Sequence, residues 1–332
     1  MTFGQKTRKI FVEADFFICN DKKMDELRQG IQRYLELIFD SEIHTPTIAE
    51  MAMYTADASA SNSACMSRQV GAAIISKTGE LISVGRNDVP KFRGGLYTED
   101  DRSVWSEQSK SLEDRDNRCF KWKSRICHNE TRRNGILDKI AMQIAASGHV
   151  KIGVKAADVR KALANTDIEQ LTEFSRSIHA EMEAILAVAR EGRHSLIGAT
   201  LYTTTYPCHN CARHIVAAGI TNVVYVEPYK KSLATSLHGD VVSEDLNDST
   251  HVIFRQYGGI APRHYLRIFQ PVSSRKEAGK YFRTPPKDAV PIFRIPLDGP
   301  VDYEFKVIAD LADKEQTESP GGGDVGGEKG GH

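Results

Sequence analysis

Apolar positions recur along the chain in two periods, and the switches between them outline a layered fold. Residues 10–20 (IFVEADFFICN) mix β-branched and aromatic residues and close on Asn-Asp, which predicts a strand. Residues 24–39 place Met24, Leu27, Ile31, Tyr34, Leu35 and Ile38 at helical spacing. Thr45-Pro46 predicts a helix start, with Thr45 as N-cap and Pro46 in the first turn, running to about Ser63. Residues 70–76 (VGAAIIS) and 80–85 (ELISVG) predict two strands joined by a hairpin at Lys77-Thr78-Gly79.

Residues 87–130 break the pattern: they are polar, rich in Arg, Lys and Asp, and read as a long loop or insertion. Helical spacing returns at Ile136, Leu137, Ile140, Ala141 and Ile144, and again over Ala156–Ala164. Thr166-Asp167-Ile168-Glu169 has the form of a capping box. A helix from His179, a strand at 199–204, a helix from Cys208 and a strand at 222–226 follow in order. Segments 251–254 and 265–269 complete the sheet and its covering layer. Strands alternating with helices predict an α/β architecture. The tail SPGGGDVGGEKGGH has nothing to bury and is expected to be disordered.

Composition narrows the function classes. Of 332 residues 40% are hydrophobic and 27% charged, enough for one sizeable core, or one core plus a small appended unit. Lys+Arg and Asp+Glu are both 44, so the basic excess of a polynucleotide binder is absent, and a single nucleotide is the better-fitting substrate. No run approaches the ~20 apolar residues of a membrane helix, and the N-terminus makes a poor secretion signal. Cys19, Cys65, Cys119, Cys127, Cys208 and Cys211 therefore read as reduced thiols or metal ligands in a cytoplasmic protein.

The candidate chemistry sits in two short motifs, His179-Ala180-Glu181 and Pro207-Cys208-His209-Asn210-Cys211. Cysteines three apart share one face of a helical turn. At a helix N-terminus the free N–H groups stabilise the thiolates that bind zinc. His179 and Glu181 would point ~200° apart in a regular helix, so they can face one pocket only if His179 lies in non-helical backbone at the entrance. One imidazole and two thiolates leave a fourth zinc position open, the mark of catalytic zinc. Glu181, not a ligand, is the expected proton carrier. The H-x-E…P-C-x-x-C pattern is that of zinc nucleobase deaminases. The bland alternative is a structural zinc knuckle.

Beyond those motifs, CMSRQVGAAIISKTGELISVGRN, IHAEMEAI and LYTTTYPCHNCARHIVAAGITNVVYVEPY resemble blocks of the zinc-dependent cytidine and deoxycytidylate deaminases, over roughly residues 45–260. The SACMSRQVGAAI opening, the NDVPKFRGGLY loop and the long insertion resemble more closely the deaminase half of bacterial anti-phage dCTP deaminases. The resemblance implies a three-layer α/β/α fold around a five-stranded mixed sheet, one catalytic zinc, substrate contacts at Asn87 and Tyr229, and a homo-oligomer. It divides the chain into a strand–helix extension (1–44), a deaminase domain (45–270, insertion about 88–165), a C-terminal extension (271–318) and the tail (319–332). In the resembling proteins a kinase-like domain precedes the deaminase, and residues 14–39 look like its last strand and helix.

Without the resemblance, Asn87 is a polar turn residue and Tyr229 a packing residue. Cys65, Cys119, Cys127 and His128 form a candidate second, structural zinc set, since some phage-type relatives use a cysteine at the place of Cys65. The usual set is incomplete, because Ser177 stands where a histidine is expected, and buried free thiols explain the cysteines equally well. Lys121, Lys123 and Arg125 could meet a triphosphate or simply be solvated. The expected reaction is deamination of a free deoxycytidine nucleotide, with dCTP favoured over dCMP, in anti-phage defence by depletion of the dC pool. The alternatives are a housekeeping dCMP deaminase, an RNA-editing deaminase and a non-catalytic zinc module.

Overall fold

A computed structural model of the chain describes residues 11–292, apart from 12, 21–23, 152, 165, 167, 169–170, 172, 230, 272–273, 283 and 286, together with residue 308. The first elements are β1 (Phe16–Phe17), α1 (Met24–Ile38), α2 (Ile48–Ala60), β2 (Gly71–Ile75) and β3 (Leu81–Arg86). The insertion carries β4 (Val104–Ser106), β5 (Ser111–Glu113), α3 (His128–Ala146) and α4 (Ala156–Leu163). The second half runs α5 (Ala180–Glu191), β6 (Thr200–Thr205), α6 (His209–Ala217), β7 (Asn222–Glu227), α7 (Ala234–His238), β8 (Val242–Ser243) and β9 (Val252–Gln256). β10 (Gly259–Ile260), α8 (Tyr265–Phe269), β11 (Lys276–Glu277) and β12 (Lys280–Tyr281) close it.

The main sheet has the order β3-β2-β6-β7-β9-β8. β2 pairs antiparallel with both β3 and β6, while β6, β7, β9 and β8 are parallel. The sheet is thus mixed and layered as expected, but six-stranded rather than five-stranded. The extra strand, β8, is two residues long and adds to the β9 edge, with Val242 opposite Val252. Two residues are too few for an alternating pattern to register in the sequence.

Side-chain alternation explains the layers. Ala73, Ile75, Tyr202 and Val224 point to one face and pack on Ala52, Met53 and Ala56 of α2. Their neighbours Ala72, Ile74, Leu201 and Val223 point to the other face and meet Ala180 and Ala184 of α5 and Ala212 and Ile215 of α6. Close approach is achieved by glycine. A Cβ on Gly85 would overlap Ala180 O and lie 3.0 Å from Ala184 Cβ, so β3 presses directly on the first turn of α5.

Three expectations change. The strand at 10–20 shrinks to Phe16–Phe17, because its partner β10 offers only two residues of edge, and Phe16 instead stacks on Tyr34 at 4.3 Å. The helix expected from Thr45 starts two residues later: Thr47 Oγ1 accepts from Glu50 N and Glu50 Oε2 accepts from Thr47 N, a full capping box. The helix expected around 136–144 begins at His128, since its polar first turns carry no apolar period. Asp167 and Glu169 of the second capping box, and the tail 319–332, lie outside the described residues.

Phe17 packs on the α2 side of the core, and Phe16, Tyr34 and Leu37 form a smaller cluster with Ile260 and Ile268. Glu50, 1% exposed, receives both arms of Arg33 at 2.8 Å and the backbone N–H groups of Thr47 and Ile260. Burial pushes its carboxyl up, but Arg33 and the backbone donors outweigh that and hold it below the usual glutamate value.

The strand register brings the start of β2 and the ends of β3, β6 and β7 to one edge of the sheet. Carboxyl ends of parallel strands are where α/β sheets bind ligands. Gly85→Ala is expected to force β3 away from α5 and to destabilise the fold by about 3 kcal/mol, read by chemical denaturation. An unchanged midpoint would show that α5 does not depend on this contact.

Candidate zinc and active site

His179 and Cys208 are both helix N-caps in extended backbone, at φ −80°, ψ 154° and φ −74°, ψ 166°. That is the non-helical entrance required of His179 by its spacing from Glu181. Ile178 N donates to Asp88 O at 3.0 Å, pinning the approach to His179 against the end of β3. Pro207 precedes Cys208, and its carbonyl accepts from Ser232 Oγ at 2.7 Å. Cys211 sits fully buried in the first turn of α6.

The three side chains converge. His179 Nδ1 lies 3.3 Å from Cys211 Sγ and 3.4 Å from Cys208 Sγ. A tetrahedral zinc with ordinary Zn–S and Zn–N bonds separates such donors by about 3.6 Å, and two sulfurs by about 3.8 Å. The observed spacing is close to that, so the residues fit the metal. Among the described residues this is the one group of three or more such side chains whose donor atoms all lie within 4.8 Å of one another.

Glu181 follows inside α5, 4% exposed, with its carboxyl against the Cys211 thiol. Burial raises its pKa, the nearby Cys208 thiolate adds to the rise, and His179 opposes it. Cys208 is held down at about 3, first by the hydrogen bond from Cys211 and then by His179. The Cys208 thiolate in turn raises His179 to about 9 against the effect of its burial. Cys211, donating to Cys208 and buried, is pushed well up. The shifts of these three groups all favour negative charge on the Cys208 sulfur, with His179 and Cys211 as its donors.

Residues 46–227 match the family profile of the cytidine and deoxycytidylate deaminase zinc-binding region. The chain belongs to this family. It is 32% identical over 173 residues to the deoxycytidylate deaminase of enterobacteria phage T2, covering 51% of this chain and 74% of that protein. The T4 enzyme of the same name matches at 32% over 173 residues, with 72% of its length covered. Among solved structures, the dCMP deaminase of cyanophage S-TIM5 in complex with dCMP and dUMP aligns over 65% of this chain and 100% of its own, at 18% identity and a TM-score of 0.34. Members of the family are zinc-dependent hydrolytic deaminases, and the His179–Cys208–Cys211 cluster is consistent with zinc binding.

The other deaminase-family expectations fall at different places. Asn87 is 8% exposed and works as a brace: its Nδ2 donates to Arg68 O at 2.6 Å and its Oδ1 accepts from Val70 N at 2.7 Å. Tyr229 is half-buried against the core that contains Cys208 and Cys211. Cys65, Cys119, Cys127 and His128 line one cavity of about 20 Å3, where His128 Nε2 is buried without a hydrogen-bond partner. Their donor atoms do not close to the spacing of the first cluster. Lys121 is ion-paired to Asp114, and Lys123 lies over the Trp122 ring at 4.1 Å. No described helix is long and apolar enough to cross a membrane.

Sequence reasoning missed four residues around the site. Asp88 is fully buried and accepts from Ala64 N and Val89 N. Ser232 latches the Tyr229 turn to Pro207. Arg68 and Glu227 form an ion pair between the approach to β2 and the end of β7. Only their places at strand ends, beside the motifs, could have marked them.

Zinc uptake must displace the protons on His179 and Cys211. Titration at pH 7 is therefore expected to release about two protons per zinc, with affinity falling as pH falls, read by calorimetry in buffers of different ionisation heat. Release of none would mean that the ligands are already deprotonated.

Proposed function

We propose that this chain hydrolyses the exocyclic amine of a free deoxycytidine nucleotide, giving the deoxyuridine nucleotide and ammonia. The observation that carries the reading is a buried carboxyl, Glu181, beside the convergent His179, Cys208 and Cys211 donors. His179, Cys208 and Cys211 hold the metal. When bound, zinc supplies Lewis acidity that makes water nucleophilic near neutral pH. Glu181 takes the proton of the attacking water and places it on N3 of the cytosine ring. It then carries the proton of the hydroxyl now on C4 to the amine, which leaves as ammonia as the C4–N bond breaks and the carbonyl forms. Its burial raises the carboxyl above the ordinary glutamate value, which favours its taking up a proton. Tyr229 lies against the substrate, and Asn87 shapes the sugar end of the site through the segment it braces.

Deoxycytidylate deaminases of two phages are the long matches to this chain. We favour dCTP over dCMP on the blocks SACMSRQVGAAI and NDVPKFRGGLY, which resemble anti-phage dCTP deaminases. Depletion of the dC pool during infection, in a cytoplasmic homo-oligomer, is part of the same reading. An RNA-editing role is disfavoured by the zero net charge. A purely structural zinc gives Glu181 no task.

Separate incubations of the zinc-loaded protein with dCTP, dCMP and tRNA, followed by ammonia release, test the reading. Turnover of dCTP exceeding that of dCMP is expected, and release from tRNA alone would overturn it. Glu181→Ala is expected to keep its zinc and to lower kcat by about 10²–10⁴-fold. Loss of metal together with activity would assign Glu181 a structural part instead.

A further inference from the structure

A nucleotide brings a phosphate to the site, and neither the zinc donors nor Glu181 can hold it. Several cations lie near the edge of the sheet that carries the site, and most are committed. Arg118 is 5% exposed and bound through three contacts to Asp116. Arg176 stacks on Trp122 at 3.8 Å and donates to Asn117 O. Arg86 reaches back to Tyr97 O at 2.9 Å. Lys91 grips both oxygens of Asp101 at 3.0 Å.

Arg68 differs. Its side chain is 27% exposed, and among the described residues its one side-chain contact is between Nη2 and Glu227 Oε2. A guanidinium has five donors, so this contact leaves most of the fork available to an incoming oxyanion. Its backbone is fixed to the site: Arg68 O accepts from Asn87, Gln69 Nε2 donates to Ser63 O, and Ser63 Oγ donates to Asn87 O. Asp88, next in the chain, holds Ile178 and hence the approach to His179. Glu227 ends β7, and its carbonyl accepts from Tyr206 N, two residues before Cys208. The ion pair thus lies at the same sheet edge as the zinc donors, tied to both halves of the site.

We propose that Arg68 is the phosphate anchor of the nucleotide, and that Glu227 is its counter-charge in the empty site, displaced when the phosphate arrives. This rests on the nucleotide reading above. A half-buried arginine without a partner is costly, so a carboxylate holds the place until the ligand comes. A phosphate dianion then takes the guanidinium by charge and by fork geometry. Removing Glu227's charge while keeping its shape should therefore tighten phosphate binding.

The test measures calorimetric binding of dUMP and of deoxyuridine to the zinc-loaded protein, independently of turnover. Wild type is expected to prefer dUMP by roughly 10-fold or more, the scale of a charged hydrogen bond. Arg68→Gln should lose that preference while retaining zinc and its affinity for deoxyuridine. Arg68→Lys should keep part of it, and Glu227→Gln should bind dUMP more tightly than wild type. Lys231→Gln, on the Tyr229 turn, should leave the preference intact. The proposal falls if Arg68→Gln keeps the dUMP preference, if Lys231→Gln abolishes it, or if Glu227→Gln weakens dUMP. The last arm decides the matter even if Arg68→Gln fails to fold. Phosphate-dependent binding without deamination would sink the functional reading and leave this one standing. Deamination with an undiminished preference in Arg68→Gln would do the reverse.

Discussion

Two helix N-termini meeting at one sheet edge are the constraint on which this molecule depends. A helix start exposes backbone N–H groups and a positive dipole end, and both favour the thiolate. Cys208 and Cys211 occupy such a start, and His179 occupies another, with each cap residue in extended backbone. α5 could not present His179 and Glu181 to one pocket from its interior, because helical periodicity would turn them to opposite sides.

The sheet supplies the alignment. Parallel β6 and β7 flank α6, so Cys208 leaves the carboxyl end of β6 while β7 returns to the same edge. β3, antiparallel to β2 and so running the same way as β6, ends at that edge as well, and Gly85 lets it lie directly on the first turn of α5. The loop after β3 then serves the site twice. Asn87 holds the Arg68 segment, and Asp88 holds the approach to His179. The His179–Cys208–Cys211 cluster, Glu181 and the Arg68–Glu227 pair therefore lie at one edge, and a displacement of β3 reaches all of them.

Burial sets the chemistry of that edge. Glu181 is removed from water beside a thiolate, which raises its pKa without a direct ion pair to cancel the effect. Glu50 is as deeply buried on the opposite layer and goes the other way, since Arg33 and two backbone donors meet its oxygens. Two glutamates in one fold thus shift in opposite directions: Glu181 upward beside the His179–Cys208–Cys211 cluster, Glu50 downward where it ties the N-terminal helix to the core.

The sequence by itself determined the elements and the donor set. The spacing of His179, Glu181, Cys208 and Cys211 demanded an extended histidine at a helix entrance, and strong local periodicity placed α1, α5, α6 and the β2–β3 hairpin. Local patterns carry this information because capping, helix phase and strand alternation act between near neighbours. Only the tertiary structure decided the sixth strand, the reduction of residues 10–20 to a two-residue pair, Asn87's role as a brace, and the meeting of Arg68 with Glu227. Those depend on distant partners, such as Arg68 and Glu227, 159 residues apart, or on edges of two residues, and no period in the chain encodes which distant group will stand opposite.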